Sequence, residues 1–253
     1  MKVVFVGGKN IGYGCLKCLL DNEKAEVLSV VVNKDGDTQP GRWFQSVSEL
    51  AIEHNLRIFK PDNINDKTSV DFIKKLNPDI IIVAYYDQIL KSHIIQIPKN
   101  GCVNVHMGLC EEYRGCYPTT WPIINGEDTA GVTVHYIDEG IDSGDIISQI
   151  KVGISKDDTG ETLYNKCTEA GIQLFKDTVG SLLSGEASSR KQVKTEKTKT
   201  YFRKNFPSHN LDLANKDKKL YNYIRALMFK HFSSPFFYIG NKKIILKEED
   251  NDT

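Results

Sequence analysis

Net charge is missing from this sequence of 253 residues, because 33 lysines and arginines balance 33 aspartates and glutamates. A neutral chain has no polybasic surface of the kind that binds nucleic acid or anionic membranes. No apolar run approaches the roughly 20 residues of a membrane-spanning helix. Met1 leads directly into an apolar run of strand length rather than into a signal peptide. We therefore predict a cytoplasmic protein with neither nucleic acid nor a membrane as its partner.

The sequence also lacks the second cysteine pair that would complete a zinc site. Cys15 and Cys18 have C-x-x-C spacing, but the remaining cysteines are scattered. A structural zinc site of this type needs two such pairs. On a helix the two residues would simply be neighbours on one face, and a redox pair is the alternative. We predict no metal site and reduced thiols.

Alternating strand and helix patterns fill the first part of the chain. Apolar, β-branched runs at 2–8, 25–33 and 79–86 are typical of strands. Stretches with apolar residues at helical spacing separate them. Strands that are apolar on both faces indicate a mostly parallel sheet covered by helices on both sides. The predicted fold class is therefore α/β and Rossmann-like, with functional groups at the carboxyl ends of the strands.

Composition divides the chain into three parts. A long helical pattern ends at Gly185, and Asp158 with Glu161 near its start has the spacing of a capping box. Residues 186–200 are polar and aperiodic, which is typical of a linker. A helical pattern and a hairpin that turns near Gly240 follow. The predicted parts are a main domain at 1–185, a linker at 186–200 and a small C-terminal α+β appendage at 201–253.

The turn after the first strand is rich in glycine but lacks the dinucleotide-binding pattern. That fingerprint needs G-x-G-x-x-G, with backbone N–H groups approaching a pyrophosphate. Here the glycines fall as G-G-x-x-x-G-x-G from Gly7 onward. The second strand closes with Asn33, and Asp35 follows two residues later, so no clear ribose-binding acid is present. The pattern indicates a tight βα turn, with contact to a substrate phosphate as the alternative.

An asparagine and a histidine share one strand face further along. Asn104 and His106 are two residues apart, so in an extended strand both side chains point the same way. An amide beside an imidazole can stabilise a developing oxyanion. The glycine-punctuated run 138–145 supplies carboxylates, and one of them can orient an imidazole on an adjacent strand. Alternation does not select Cys102 or Cys110 as a nucleophile, so direct transfer between two bound substrates is favoured over a covalent intermediate.

The run 104–147 resembles the core of the formyltransferase family that uses N10-formyltetrahydrofolate. It contains N-x-H, Y-R-G, P-x-x-W, N-G, a strand and D-x-G-D in that order and at similar spacing. The resemblance implies the formyltransferase fold and a catalytic triad of Asn104, His106 and Asp142. One feature differs. The family has H-x-S-L-L-P before Y-R-G, whereas His106 is followed here by M-G-L-C-E, so the usual serine and proline are absent.

In the implied reaction, an acceptor amine attacks the formyl carbon. Asn104 and His106 hold the tetrahedral oxyanion, and Asp142 orients His106 and helps to take the proton from the amine. The resemblance also implies a set of folate contacts, namely Tyr85, Tyr86, Ile89, Leu90, Arg114, Gly115 and Asp138. The residues expected beside the acceptor are Asn10, Tyr117 and Pro118.

The C-terminal part indicates the class of acceptor. Methionyl-tRNA formyltransferases carry a large basic β-barrel, for which the ~60 residues after the core are few. Nucleotide-sugar N-formyltransferases have a compact helix-and-hairpin appendage that helps to form a dimer, and residues 220–246 resemble it. We therefore expect a homodimer that formylates an amino-deoxy sugar carried on a nucleotide, dTDP in particular, for O-antigen or lipopolysaccharide synthesis. The alternatives are an enzyme like methionyl-tRNA formyltransferase and a non-catalytic folate-binding module.

Overall fold

A seven-stranded sheet forms the centre of the fold. The computed structural model describes residues 1–35, 37–212 and 219–247. The strands are β1 (Lys2–Gly7), β2 (Glu26–Val31), β3 (Ile58–Phe59), β4 (Ile80–Ala84), β5 (Cys102–His106), β6 (Tyr113–Gly115), β7 (Thr129–Tyr136), β8 (Ile146–Gly153), β9 (Lys199–Tyr201), β10 (Phe236–Ile239) and β11 (Lys242–Ile245). The helices are α1 (Lys9–Leu20), α2 (Val47–Glu53), α3 (Lys67–Leu76), α4 (Ser92–Ile95), α5 (Thr120–Asn125), α6 (Gly160–Ser184) and α7 (Leu220–Leu227).

The strand order confirms the predicted mostly parallel α/β sheet. From one edge to the other it is β3-β2-β1-β4-β5-β7-β8. The first five strands pair in parallel, whereas β7 pairs antiparallel with both β5 and β8. The continuous apolar runs of the sequence form β1, β2 and β4 in the parallel part, where both faces of a sheet are buried.

Helices cover both faces of this sheet. Alternate side chains of β1 enter two separate cores, with Val3 and Phe5 on one side and Val4 and Val6 on the other. Helices α1, α2 and α6 complete the first core, and α3 and α4 complete the second. Helices therefore pack against both faces of the sheet, and the ends of its strands are available for functional side chains.

The strand order reverses between β1 and β4, which lie side by side. The turn after β1 packs closely on β4, because the N–H of Gly8 donates to the Ala84 carbonyl at 3.1 Å. A Cβ at Gly7 would lie 2.4 Å from the same oxygen, so only glycine permits this approach. Such a reversal opens a crevice at the carboxyl ends of the strands, where ligands bind in open α/β sheets.

Helix α6 begins one residue later than the predicted capping box. Its N-cap is Thr159, whose hydroxyl accepts from the Thr162 N–H while the Thr162 hydroxyl accepts from the Thr159 N–H. The predicted pair of Asp158 and Glu161 is wrong, because Asp158 is buried and accepts from Ser155 N–H and from Thr162 instead. The predicted stop is confirmed, since Gly185 caps the helix in the left-handed region.

The segment predicted as a linker passes along the main sheet and contacts the loops that follow β5 and β7. It ends in β9, which pairs in parallel with β6. Arg190 makes a reciprocal pair of backbone hydrogen bonds with Ile146 on β8, both 2.8 Å long. We refer to residues 186–201 as the crossing segment. The three-part division of the chain stays a prediction, but this part is in contact with the loops that follow β5 and β7.

The small C-terminal appendage consists of α7 and the antiparallel pair β10–β11. The hairpin turns at Gly240, as predicted. Arg225 of α7 is buried and donates to the carbonyls of Ser155 and Asp158, which attaches the helix to the main domain. The predicted helix start at 216–218 and the tail at 248–253 lie outside the described residues. Within the described ranges, no helix is both long and apolar enough to cross a membrane.

Candidate active site

The site is built on two neighbouring antiparallel strands. Strand β5 carries Asn104 and His106 on one face, and the register of β7 places His135 opposite Asn104. The chain then leaves β7, turns through a loop and brings Asp142 back to the same face. The loop is shaped by Asp138, which accepts hydrogen bonds from the Gly140 N–H and the Ser143 hydroxyl.

The structure brings the three predicted catalytic side chains together. His106 Nδ1 lies 3.4 Å from Asp142 Oδ2, and Asn104 Nδ2 lies 3.3 Å from Asp142 Oδ1. Both the His106 and Asp142 side chains are largely buried, with 7% and 15% of their surfaces exposed. Low exposure strengthens each of these polar contacts relative to water. The spacing matches what an amide, an imidazole and a carboxylate need to act on one reacting group.

A backbone carbonyl determines which nitrogen of His106 faces the carboxylate. His106 Nε2 lies 2.7 Å from the carbonyl oxygen of Tyr113. A carbonyl can only accept, so Nε2 carries a proton and Nδ1 is left toward Asp142. The ring therefore presents a defined nitrogen to the reacting groups.

A second histidine belongs to the site and was missed from the sequence. His135 is 1% exposed. Its Nε2 lies 3.5 Å from Asp142 Oδ1 and 3.3 Å from Asn104 Nδ2, and its Nδ1 donates to the Tyr136 carbonyl at 2.7 Å. The sequence placed His135 in a strand but held no signal of its pairing. Only the antiparallel register of β5 and β7 sets it against Asn104.

The carboxylate is kept ionised by its surroundings. Burial by itself raises the pKa of Asp142, but the positive charges of His106 and His135 and the Gly115 N–H hold that pKa well below its usual range. The Gly115 N–H donates to Oδ2 at 2.7 Å. For His135, burial lowers the pKa, but the Cys110 sulfur and Asp142 outweigh burial and raise that pKa to about 10. Both directions favour an ion pair between Asp142 and His135.

Several residues at this edge have strained backbones. Positive φ angles occur at Lys9 (59°), Tyr85 (60°), Tyr117 (60°) and Asp142 (46°). For a residue with a Cβ, this region costs on the order of 1–3 kcal/mol and persists only where the surrounding structure imposes it. Such strain clusters at functional sites, and here it falls at the start of α1 and in the loops after β4, β6 and β7.

The predicted folate residues fall into two groups. Tyr85 and Ile89 remain accessible, at 38% and 63% exposure, and form an apolar edge after β4. Leu90 is buried, and Tyr86 packs against the second core. The exposed pair could contact a flat aromatic ligand, whereas the buried pair supports the strand end.

Arg114, Gly115 and Asp138 hold loops in the described structure. Arg114 is buried, and its Nε donates to the Cys110 carbonyl at 2.8 Å. Gly115 binds Asp142 through its N–H, and Asp138 shapes the loop before Asp142. Their predicted folate contacts stay predictions.

The predicted acceptor residues lie around the same edge. Asn10 accepts from the Gln45 N–H at 2.8 Å, which ties the start of α1 to the loop before α2. The Tyr117 ring packs against Phe206, with centroids 4.2 Å apart. Pro118 lies against Gly108. All three are loop-building in the described structure, and their contact with an acceptor stays a prediction.

The absence of the usual serine after His106 has a steric reason. Gly108 occupies that position, and a Cβ there would lie 2.6 Å from His106 Nε2, 2.7 Å from Pro118 Cβ and 2.8 Å from the Tyr113 carbonyl. These distances are shorter than side-chain contacts allow, so a serine would displace the histidine. The loop in this chain therefore approaches the imidazole more closely than a serine would permit.

A cavity of about 390 Å³ lies at the carboxyl ends of β1, β2 and β4. Its lining residues include Gly8, Lys9, Asn33, Trp43, Tyr85 and Asp87. Burial lowers the pKa of Lys9, while Asp87 and Asp37 act in the opposite direction. The wall thus combines an aromatic surface, an amine and carboxylates at the edge of the site.

Among the residues that the structure describes, no group of three or more histidine, cysteine, aspartate or glutamate side chains could hold a metal ion.

A match to a known family model identifies the family of this chain. Residues 1–179 match the family model described as formyl transferase. The chain belongs to the formyl transferase family. The match covers all of β1 to β8 and most of α6, and so includes every strand of the main sheet.

Two curated proteins are similar to this chain in sequence. A methionyl-tRNA formyltransferase of Clostridioides difficile is 37% identical over 230 residues, covering 90% of this chain and 74% of that protein. The bifunctional polymyxin resistance protein ArnA of Wigglesworthia glossinidia brevipalpis is 37% identical over 247 residues. That alignment covers 97% of this chain but only 37% of the longer protein.

A solved formyl transferase has a similar fold over nearly the whole chain. It is WlaRD, a sugar 3N-formyl transferase studied in the presence of dTDP and 5-N-formyl-THF. The TM-score is 0.79 at 27% identity, with 97% of this chain and 85% of that chain covered. The similarity therefore extends beyond the main sheet into the appendage.

Proposed function

We propose that this protein transfers a formyl group from N10-formyltetrahydrofolate to the amine of a nucleotide-linked amino-deoxy sugar, with dTDP as the expected nucleotide. The observation that carries the proposal is the contact between Asn104, His106 and Asp142 at the carboxyl edge of a formyl transferase sheet. The sugar acceptor is supported by the likeness to a sugar N-formyltransferase, which includes the appendage.

The proposed reaction is a direct attack. The amine nitrogen bonds to the formyl carbon, and the carbonyl electron pair moves onto oxygen. The Asn104 amide and His106 stabilise that oxyanion, and Asp142 helps to take the proton from the amine directly or through water. The carbonyl then re-forms, the bond from carbon to N10 breaks, and N10 of the folate receives a proton.

The charge on His135 determines whether an Asn104 N–H is available to the oxyanion. The Asn104 amide nitrogen lies 3.3 Å from both His135 Nε2 and Asp142 Oδ1. A neutral His135 that donates through Nδ1 would accept one of the amide hydrogens at Nε2. A protonated His135 cannot accept it, so one amide N–H remains available to the oxyanion.

The two substrates are proposed to enter from different sides. The folate ring lies along the accessible edge formed by Tyr85 and Ile89 after β4, so that its formyl group reaches His106. The acceptor occupies the cavity at the ends of β1 and β2, where Lys9 and Trp43 offer a cation and an aromatic surface. This arrangement places the two substrates on opposite sides of the strained Tyr85.

A second candidate is a methionyl-tRNA acceptor. It is supported by the 37% identity to a methionyl-tRNA formyltransferase over 90% of this chain. The zero formal net charge weighs against it, because RNA binding is driven by phosphate neutralisation with basic residues.

The hairpin is proposed to join two copies of the chain. Tyr238, Ile239 and Ile245 are between 51% and 64% exposed on β10 and β11. Ile239 lies on the opposite face of the hairpin from Tyr238 and Ile245, and exposed apolar side chains on both faces of a small element mark an interaction surface. The product of such a homodimer would serve surface polysaccharide synthesis, including O-antigen and lipopolysaccharide.

The test is an assay of tetrahydrofolate release from N10-formyltetrahydrofolate with candidate acceptors. The panel contains dTDP- and UDP-linked amino sugars and methionylated initiator tRNA, each against the wild type and the His106→Asn variant. His54→Asn, at an exposed position after α2, is the matched control. We expect one amino sugar to drive release, with His106→Asn reducing the rate by about 10²- to 10⁴-fold. Release with tRNA alone would overturn the sugar assignment, and full activity in His106→Asn would overturn the catalytic assignment.

A further inference from the structure

One side chain of the crossing segment reaches the backbone of the catalytic carboxylate. Gln192 Nε2 donates to the Asp142 carbonyl at 2.9 Å and to the Gly144 carbonyl at 2.7 Å. Its Oε1 accepts from Arg114 Nη2 at 2.6 Å. Both amide hydrogens and the amide oxygen of Gln192 are therefore engaged, and together these contacts are called the Gln192 network.

The Gln192 network holds Asp142, whose backbone is strained. Asp142 has φ of +46°, which a residue with a Cβ adopts only when neighbouring contacts impose it. Gln192 holds the carbonyl of Asp142, and the Gly115 N–H holds its side chain. The carboxylate is thereby fixed from its backbone and from its oxygen at the same time.

The other end of the network is attached to the loop after β5. Arg114 is buried, and its Nε donates to the Cys110 carbonyl while Nη2 donates to Gln192. The loop that carries Gly115 and the loop that carries Asp142 are thus joined through Gln192. Relative movement of these loops would change the 3.4 Å separation of His106 and Asp142.

Gln192 itself lies between two anchored neighbours. Arg190 pairs with Ile146 through both of its backbone groups, and its guanidinium makes two hydrogen bonds to Glu111, at 2.8 and 3.0 Å. The Val193 N–H donates to the same carboxylate at 2.8 Å. Two-point binding of a guanidinium restricts its orientation. The backbone on either side of Gln192 therefore has little freedom, which suits a residue that sets the position of another.

We propose that Gln192 is a positioning residue for formyl transfer, which holds Asp142 in its strained conformation and so sets its distance from His106. The inference rests on the proposed catalytic role of His106 and Asp142. It assigns to the crossing segment a part in the reaction, although none of its residues contacts a reacting atom.

The first test separates catalysis from folding with two substitutions. Gln192→Ala removes the whole network. Gln192→Glu keeps an acceptor for Arg114 but replaces both donors with oxygen, which faces two carbonyls. Gln173→Ala, at an exposed position on α6, is the matched control.

We expect kcat to fall by about 10- to 100-fold in both Gln192 variants, because displacement of a catalytic group by an ångström has this effect. The KM for N10-formyltetrahydrofolate should change by less than about threefold, since Gln192 is not among the residues predicted to contact the folate. Both variants should stay folded at the assay temperature, which circular dichroism checks, because the anchors on either side of Gln192 persist. A fall in kcat only in the variant that melts early would overturn the proposal, since a structural role alone explains it.

The second test asks whether Gln192 acts through Asp142. If it does, Gln192→Ala should cost little in an Asp142→Asn background, where the carboxylate is already lost. Equal fold-losses of kcat in both backgrounds would overturn the proposal. His106→Asn, run in parallel, distinguishes this failure from failure of the proposed function. If His106→Asn is inactive while Gln192→Ala is fully active, only the inference about Gln192 is wrong.

Discussion

At the scale of single residues, the site is defined by a buried carboxylate between two histidines. Asp142 is charged because His106, His135 and the Gly115 N–H outweigh the effect of burial on its pKa. The same contacts orient the carboxylate, so its ionisation and its geometry have one cause. Two consequences can be measured, one in the rate and one in the stability of the fold.

The rate should depend on the charge of His135. We expect His135→Gln to lower kcat by about tenfold, for two reasons. A neutral amide does not direct the Asn104 N–H toward the oxyanion as a charged imidazole does, and the substitution removes a positive charge beside Asp142. Single-turnover measurement with saturating folate isolates the chemical step. His93→Gln is the control, since His93 lies in α4 outside the site. An unchanged rate would show that His135 only fills space.

The stability of the fold should depend on Asp142 in acid. The folded-state pKa of this carboxyl lies below its unfolded value of about 3.9, so it contributes stability that is complete above that value. The contribution is lost as pH falls below about 4 toward the folded-state pKa. Urea unfolding between neutral pH and pH 3 should show a shallower decline for Asp142→Asn than for wild type. Asp71→Asn, on an exposed part of α3, controls for the lost charge. Parallel curves for wild type and Asp142→Asn would contradict this expectation.

At the scale of elements, the pairing of β6 with β9 attaches the crossing segment to the site. Gly115 ends β6 with φ of +83°, and a Cβ there would lie 2.2 Å from the Tyr201 carbonyl. Gly115→Ala should therefore separate the strands and displace the N–H that binds Asp142. We expect a loss of about 1–3 kcal/mol in the free energy of unfolding, together with a lower kcat.

The control for that substitution is Gly153→Ala at the end of β8. A methyl group at Gly153 would meet no described atom within 4 Å. Its unfolding curve and its rate should match the wild type. If Gly115→Ala behaves like this control in both measurements, β9 does not support the site.

At the scale of the whole molecule, the hairpin exposes the apolar side chains that we propose as a dimer surface. We expect sedimentation to find a dimer at micromolar concentration, and Ile239→Lys to convert it to a monomer, because a buried unpaired charge opposes association. Ile52→Lys, which places the same charge on the 61% exposed Ile52 of α2, should leave the dimer intact. A wild-type chain that is monomeric at every concentration would remove the proposed interface.

The sheet was predictable because its determinants are local. β1, β2 and β4 are continuous runs of apolar, mostly β-branched residues, which is the pattern of parallel strands buried on both faces. Asn104 and His106 could be paired from their spacing alone, since alternation in a strand is independent of the rest of the fold. The capping box at α6 failed by one residue because Asp158 and Thr159 have equivalent capping chemistry, and only the burial of Asp158 decides between them.

By itself, the sequence determined the sheet and the pairing of Asn104 with His106, because these depend on periodicity and on short spacings, and the resemblance to the family's motifs implied Asp142. The tertiary structure alone decided that His135 lies opposite Asn104 and that Gln192 holds the Asp142 loop. Both contacts join residues that are 31 and 50 positions apart. Such contacts depend on strand register and on the path of the returning chain, and neither leaves a pattern among neighbouring residues. The polar segment between the main domain and the appendage therefore has the sequence pattern of a linker, but in the folded chain it lies against the site.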